Sequence, residues 1–132
     1  MHARAFEAAW SEAAIRALLE SEGVSGLASA DGSGFALVRV VAGEAELLSL
    51  AVDPARRRAG VGAALVEAVA AAAEAAGAAA LHLEVAVDNL AAVALYEAAG
   101  FGRAGLRRGY YQRANRRADA LVMTRVLNSQ KA

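Results

Sequence analysis

Leu50-Ala51-Val52-Asp53-Pro54-Ala55-Arg56-Arg57-Arg58-Ala59-Gly60-Val61-Gly62-Ala63-Ala64 decides the fold, because it joins a strand to a helix through a basic turn that contains two glycines. Glu44 to Val52 reads as a strand and Asp53-Pro54 breaks it; beyond the turn, Ala63 to Ala76 reads as a long helix closed by Gly77. Backbone amides at a helix start point outward unpaired and carry partial positive charge, so Gly60 and Gly62 before a helix form a natural anion cradle. A glycine lets a phosphate come close, and Arg57 and Arg58 add full charges suited to a diphosphate. Two familiar phosphate loops do not fit. No lysine follows either glycine, as a nucleotide-hydrolase loop requires, and the third small position of a dinucleotide-binding turn is missing. Such a turn is also often purely structural.

Working outward, Ser11 is a plausible N-cap for a helix over Glu12 to Glu22 with apolar positions Ala14, Ile15, Leu18 and Leu19, and Gly23 ends it. Val24 to Ser29, Phe35 to Val41 and Glu44 to Val52 are short β-like runs separated by Asp31-Gly32-Ser33-Gly34 and by Gly43, which predicts an antiparallel meander. Ala80 to Val87 alternates with Leu81, Leu83, Val85 and Val87 on one face and His82, Glu84 and Ala86 on the other. A helix crosses between it and the Glu44 to Val52 strand, so the two are expected to be parallel. Asp88 or Asn89 can cap a second helix, Leu90 to Ala99, ending at Gly100; Phe101 to Tyr110 and Ala118 to Leu127 close the sheet, and the last five residues are expected to fray. The fold class is mixed α/β.

The 132 residues fit one domain spanning 1–132. Of the hydrophobic residues 38 are Ala, which bury little area, and another 38 are larger, enough for one core. Net charge is zero, which argues against whole-molecule binding to nucleic acid or to an anionic membrane surface. Charge is unevenly placed. Residues 1–50 carry seven acids against three Arg, whereas residues 103–132 carry seven Arg and one Lys against Asp119. The absence of cysteine excludes disulfides, thiolate zinc sites and Cys nucleophiles, and two histidines, at positions 2 and 82, cannot close a metal site. No apolar run is long enough to span a bilayer and no leader is legible at the N-terminus, so a cytoplasmic location is expected.

Arg57-Arg58-Ala59-Gly60-Val61-Gly62-Ala63 resembles the Gln/Arg-x-x-Gly-x-Gly/Ala signature of the Gcn-type N-acetyltransferase (GNAT) superfamily, in which this loop binds the pyrophosphate of acetyl-coenzyme A. Leu50-Ala51-Val52 resembles the family's bulged strand, whose backbone holds the pantetheine arm. Asn89-Leu90-Ala91-Ala92-Val93-Ala94-Leu95-Tyr96-Glu97-Ala98-Ala99-Gly100-Phe101 matches its Asn…Ala…Leu-Tyr-x-x-x-Gly-Phe helix. Within the superfamily the chain is similar to the ribosomal-protein-alanine N-acetyltransferase family, from Trp10-Ser11-Glu12 through Leu81-His82-Leu83-Glu84-Val85 to Leu106-Arg107-Arg108-Gly109-Tyr110-Tyr111 and Asp119-Ala120-Leu121-Val122-Met123. The resemblance implies a central, mostly antiparallel sheet with a splayed parallel pair in its middle and flanking helices. It makes Glu84 the general base, Tyr96 the general acid and Asn89 a cofactor contact. It also implies acetyl-CoA as co-substrate and a protein N-terminal peptide, of an Ala-starting ribosomal protein, as partner, with the enzyme a monomer or weak homodimer. The family's first strand has no counterpart in the nine residues before Trp10, so either the edge strand is missing or the recorded start is late. Gln112 replaces a common proline and Ala118 a common glutamate, and both departures touch the acceptor side.

The chemistry suits these residues. Acetyl transfer to an amine needs a neutral nucleophile and a protonated leaving thiolate, so a base and an acid should flank the carbonyl. Glu84 lies near the C-terminal end of its strand, where ligands bind in parallel sheets, and a tyrosine, with a reference pKa of about 10, can donate to a departing thiolate. The Val52 amide can meet the developing oxyanion if its strand is bulged. His82 reads as an ordinary surface or half-buried histidine. Tyr110 and Tyr111 are candidates for an acceptor wall, and the acidic first half, with Glu44 and Glu46, for attraction of a basic tail. Two alternatives remain open: a small-amine acetyltransferase, and a non-catalytic acetyl-CoA-binding subunit.

Overall fold

A computed structural model describes residues 12–56, 60–112 and 117–127. The elements run α1 (Glu12–Leu19), β1 (Val24–Ala28), β2 (Gly34–Val41), β3 (Glu44–Val52), a 3-10 turn (Pro54–Arg56), α2 (Val61–Ala75), β4 (Ala80–Ala86), α3 (Leu90–Ala98), β5 (Gly102–Gln112) and β6 (Arg117–Val126). One sheet has the order β1-β2-β3-β4-β6-β5. Its neighbours are antiparallel except β3 and β4, which are parallel, as the helical crossover demands. This is the mixed α/β sheet the sequence predicts.

Local chemistry accounts for most boundaries. Ala42 and Gly43 both take positive φ, 55° and 82°, in the two-residue link between Val41 and Glu44, the conformation that matches hairpin twist. Gly34 opens β2 with no side chain, and a Cβ there would lie 2.7 Å from Leu65 and 2.8 Å from Val61, so its absence lets α2 close onto the sheet. The predicted Ser11 cap, the segment before it and the fraying tail lie outside the described residues. Helix α1 stops at Leu19, three residues short of expectation. Glu20 and Glu22 put negative charge at its negative end, and the Ser21 hydroxyl donates to the Ala17 carbonyl (3.1 Å). Ile15 and Leu18 are half-buried; Ala14 and Leu19 of the predicted apolar face are exposed.

The core lies between one face of the sheet and α2 with α3. Val66, Val69, Ala70 and Ala73 of α2 and Val93 and Tyr96 of α3 pack on Ala36, Val38, Leu47, Leu81, Leu83, Val85 and Met123, and Leu65 of α2 is buried over Gly34. The buried alanines bring α2 close to the strands. Arg125 of β6 fastens this layer, donating to both Glu67 carboxylate oxygens (2.9 and 3.1 Å) and to the Ala99 carbonyl at the end of α3 (3.2 Å). On β4 the alternation holds through Val85, but Val87 leaves the strand and is exposed, its amide donating to the Asp119 carbonyl (3.0 Å).

Candidate active site

The parallel pair is a fork. β3 and β4 pair only at Glu44–Ala80, Ala45–Leu81 and Glu46–His82; beyond that β4 continues on β6 alone. β3 bends away because it carries a bulge: Val38 faces Leu47 and Leu37 faces Ser49, leaving Leu48 as the extra residue. The strand that carries Leu50, Ala51 and Val52 is thus bulged, at Leu48. The Asp53 amide donates to the Ser33 carbonyl (2.7 Å), while Gly34 turns its amide and carbonyl to Ser29 of the β1 side. By the alternation of an antiparallel ladder, Val52 and Leu50, opposite Gly34 and Ala36, aim their amides into the fork. Ser49, on the sheet face away from α2, is buried and its hydroxyl has no hydrogen-bond partner.

The glycine turn stands beyond the fork's open end. Gly60 has φ 83° and supplies no side-chain cap, so the first-turn amides of α2 meet no side chain of their own cap residue. At Gly62 a Cβ would lie 3.4 Å from Leu95 and 3.8 Å from Val52, ordinary contact distances, so this glycine sits where α2 meets α3 and the end of β3. Val61 and Ala63 sit in the first turn, whereas Arg57, Arg58 and Ala59 lie outside the described residues. An anionic ligand with a long uncharged arm fits these features: amides at a helix start for the charge, and an unpaired strand edge at Leu50, Ala51 and Val52 for the arm.

Glu84 and Tyr96 stand on opposite sides of the sheet. Leu83 and Val85 face the helices, so Glu84 faces away from them, its side chain 20% exposed. Tyr96 is on α3 within the core, 8% exposed, its ring edge-on to Phe101 with centroids 5.7 Å apart. The fork opens between the two faces. Asn89 is the cap of α3, its Oδ1 accepting from the Ala92 amide (3.2 Å). His82 is half-buried, bonded to Thr124 (2.9 Å) and to Glu44, so it is occupied structurally. Glu46 pairs with Arg39 (3.8 Å), which offsets part of the predicted acidic face.

Sequence reasoning missed Arg107. Its Nη1 donates to Glu84 Oε2 at 2.6 Å, and its guanidinium lies 4.1 Å from the centre of the Tyr110 ring. The bond to Glu84 pushes the Arg107 guanidinium above its ordinary value, with Tyr110 and Glu46 adding to it. β5 is irregular between Arg107 and Tyr111, and Asp119 Oδ1 pins the bulge by accepting from the Gly109 amide (2.7 Å). Tyr110 is thereby presented at the surface, 47% exposed, beside Glu84's arginine; the Tyr111 side chain lies outside the described residues. Among the described residues no group of three His, Cys, Asp or Glu side chains could hold a metal ion, and no helix is long and apolar enough to cross a membrane.

The sequence profile of the Acetyltransferase (GNAT) family matches residues 2–101. The chain belongs to this family. It is 46% identical over 91 residues to the [Ribosomal protein bS18]-alanine N-acetyltransferase of Escherichia coli strain K12, an alignment covering 69% of this chain and 62% of that relative. The chain thus spans somewhat less than two thirds of the curated relatives' length. Among solved structures, the ribosomal-protein-S18-alanine N-acetyltransferase from Escherichia coli superposes with a TM-score of 0.85 at 37% identity, covering 96% of this chain and 83% of that one. Nourseothricin acetyltransferase superposes at 0.71 with 29% identity, covering 79% and 65%. The family match spans the fork, the start of α2 and α3.

Proposed function

We propose that the chain is an acetyl-CoA-dependent N-acetyltransferase that modifies the N-terminal α-amine of a protein, an Ala-starting ribosomal protein, in the cytoplasm, acting as a monomer or weak homodimer. The observation that carries this reading is the fork with Glu84 on one face and Tyr96 on the other, joined to the resemblance to enzymes named for ribosomal-protein alanine acetylation. Acetyl-CoA, when bound, supplies the acetyl thioester. The α2 amides at Val61 to Ala63, with Gly60, Arg57, Arg58 and Ala59, hold its phosphates; Leu50, Ala51 and Val52 hold its arm by backbone, and Asn89 adds a contact. Glu84 takes a proton from the incoming ammonium and the neutral amine attacks the thioester carbon; the Val52 amide meets the charge on the carbonyl oxygen, and as the C–S bond breaks Tyr96 gives its proton to sulfur and regains one from the nitrogen, which loses its second proton as the amide forms. Tyr110 and Tyr111 wall the acceptor.

Mass spectrometry of an Ala-starting ribosomal N-terminal peptide incubated with the chain and acetyl-CoA tests this directly. One acetyl on the α-amine is expected, and Glu84→Gln should slow its appearance by about 10²- to 10⁴-fold, the range for loss of a general base. Peptide left unmodified while spermidine or an aminoglycoside is acetylated would favour the small-amine reading, for which the similarity to nourseothricin acetyltransferase speaks.

A further inference from the structure

We propose that Arg107 is a positioning residue for acyl transfer, whose guanidinium fixes the Glu84 carboxylate and couples it to the acceptor wall at Tyr110. The inference rests on Glu84 being the base. Glu84 sits beyond the last β3–β4 pair, Glu46–His82, and Arg107 reaches it from the β6 side. Arg107 is two strands away, in register with Ala120 of β6, which is in turn in register with Ala86 of β4. Both intervening residues are alanines, and the arginine reaches across β6 to Glu84 Oε2, at 2.6 Å. A guanidinium is a planar fork, so bonding one edge and stacking one face fixes orientation as well as distance. The stacked face lies 4.1 Å from the Tyr110 ring centre, and Asp119 holds the backbone at Gly109. Base and wall therefore move as one unit.

Arg103, further along β5, bonds Glu97 of α3 at 2.8 Å, on the helix side of the sheet. On Glu84's side, Glu46 pairs with Arg39, and His82 with Thr124 and Glu44.

Steady-state kinetics on the Ala-starting peptide test the assignment with Arg107→Gln, Arg107→Met, Arg107→Lys, Glu84→Gln and the Glu84→Gln/Arg107→Gln double variant. Arg107 is half-exposed, and Arg107→Met keeps the apolar stem should the polar variant fold poorly. The expected result is a fall in kcat on the order of tenfold or more for Gln and Met with the acetyl-CoA KM unchanged. Partial recovery is expected for Lys, which keeps charge without the planar fork, together with no further loss from Arg107→Gln once Glu84 is Gln. Unchanged kcat, or an equal loss in both backgrounds, overturns the assignment. A rise in kcat also overturns it, and would make the guanidinium a competitor of the acceptor ammonium. Full activity of Glu84→Gln would instead overturn the base itself.

Discussion

Tyr96 is a packing residue to which the proposed mechanism adds chemistry. Its ring is core, edge-on to Phe101, and the proposed role has its hydroxyl protonate a leaving thiolate. Substitution separates the roles. Tyr96→Phe keeps the ring and should leave the melting temperature within a few degrees while lowering kcat tenfold or more. Tyr96→Ala should in addition cost about 3–5 kcal/mol in chemical denaturation, as loss of a buried aromatic does. Equal activity of Tyr96→Phe and the parent would remove the acid role and leave the packing one. Glu84 was legible from the alternation of Leu81, Leu83 and Val85, which alone sends it to the face opposite the helices. Arg107 was not, because its partner lies two strands away and no local pattern encodes that reach.

Among the elements, those with strong local signals came out as read: α2 and α3 from their glycine stops and the Asn89 cap, and the β2–β3 hairpin from Gly43. The hairpin also carries a removable defect. Ala42 takes φ 55°, which costs a non-glycine residue roughly 1–2 kcal/mol, and Asn tolerates it better. Ala42→Asn should therefore raise the melting temperature by a few degrees without altering either KM, as calorimetry and kinetics would show. An unchanged or lower melting temperature would mean the turn is relaxed in solution. Helix α1 ends with its last apolar position, Leu19, rather than at the Gly23 stop, because Glu20, Ser21 and Glu22 oppose its extension.

At the scale of the molecule, the sheet separates two jobs. In the proposed reading the start of α2 holds the donor, whereas Glu84, Arg107 and Tyr110, on the side away from the core, face the acceptor. Changes on the two sides should separate kinetically. Replacing Tyr110 and Tyr111 together with Ala should raise the acceptor KM about tenfold or more and leave the acetyl-CoA KM near its parent value. An acceptor KM that does not move would take the peptide groove away from this edge. The basic C-terminal third is partly spent within the fold, with Arg103 on Glu97, Arg107 on Glu84 and Arg125 on Glu67, so its charge in sequence overstates what a partner meets.

The sequence by itself determined the order of the elements, the parallel middle pair and the turn that starts α2, because these follow from short periods, caps and breakers acting over a few residues. The tertiary structure decided what those elements make together. With a bulge at Leu48, the β3–β4 pairing ends at Glu46 and His82 and opens the fork, α2 packs at Gly62 against Leu95 of α3, and Arg107 reaches across β6 to Glu84. Each depends on which strands become neighbours and how much room their side chains leave, and that information is spread over residues far apart in the chain.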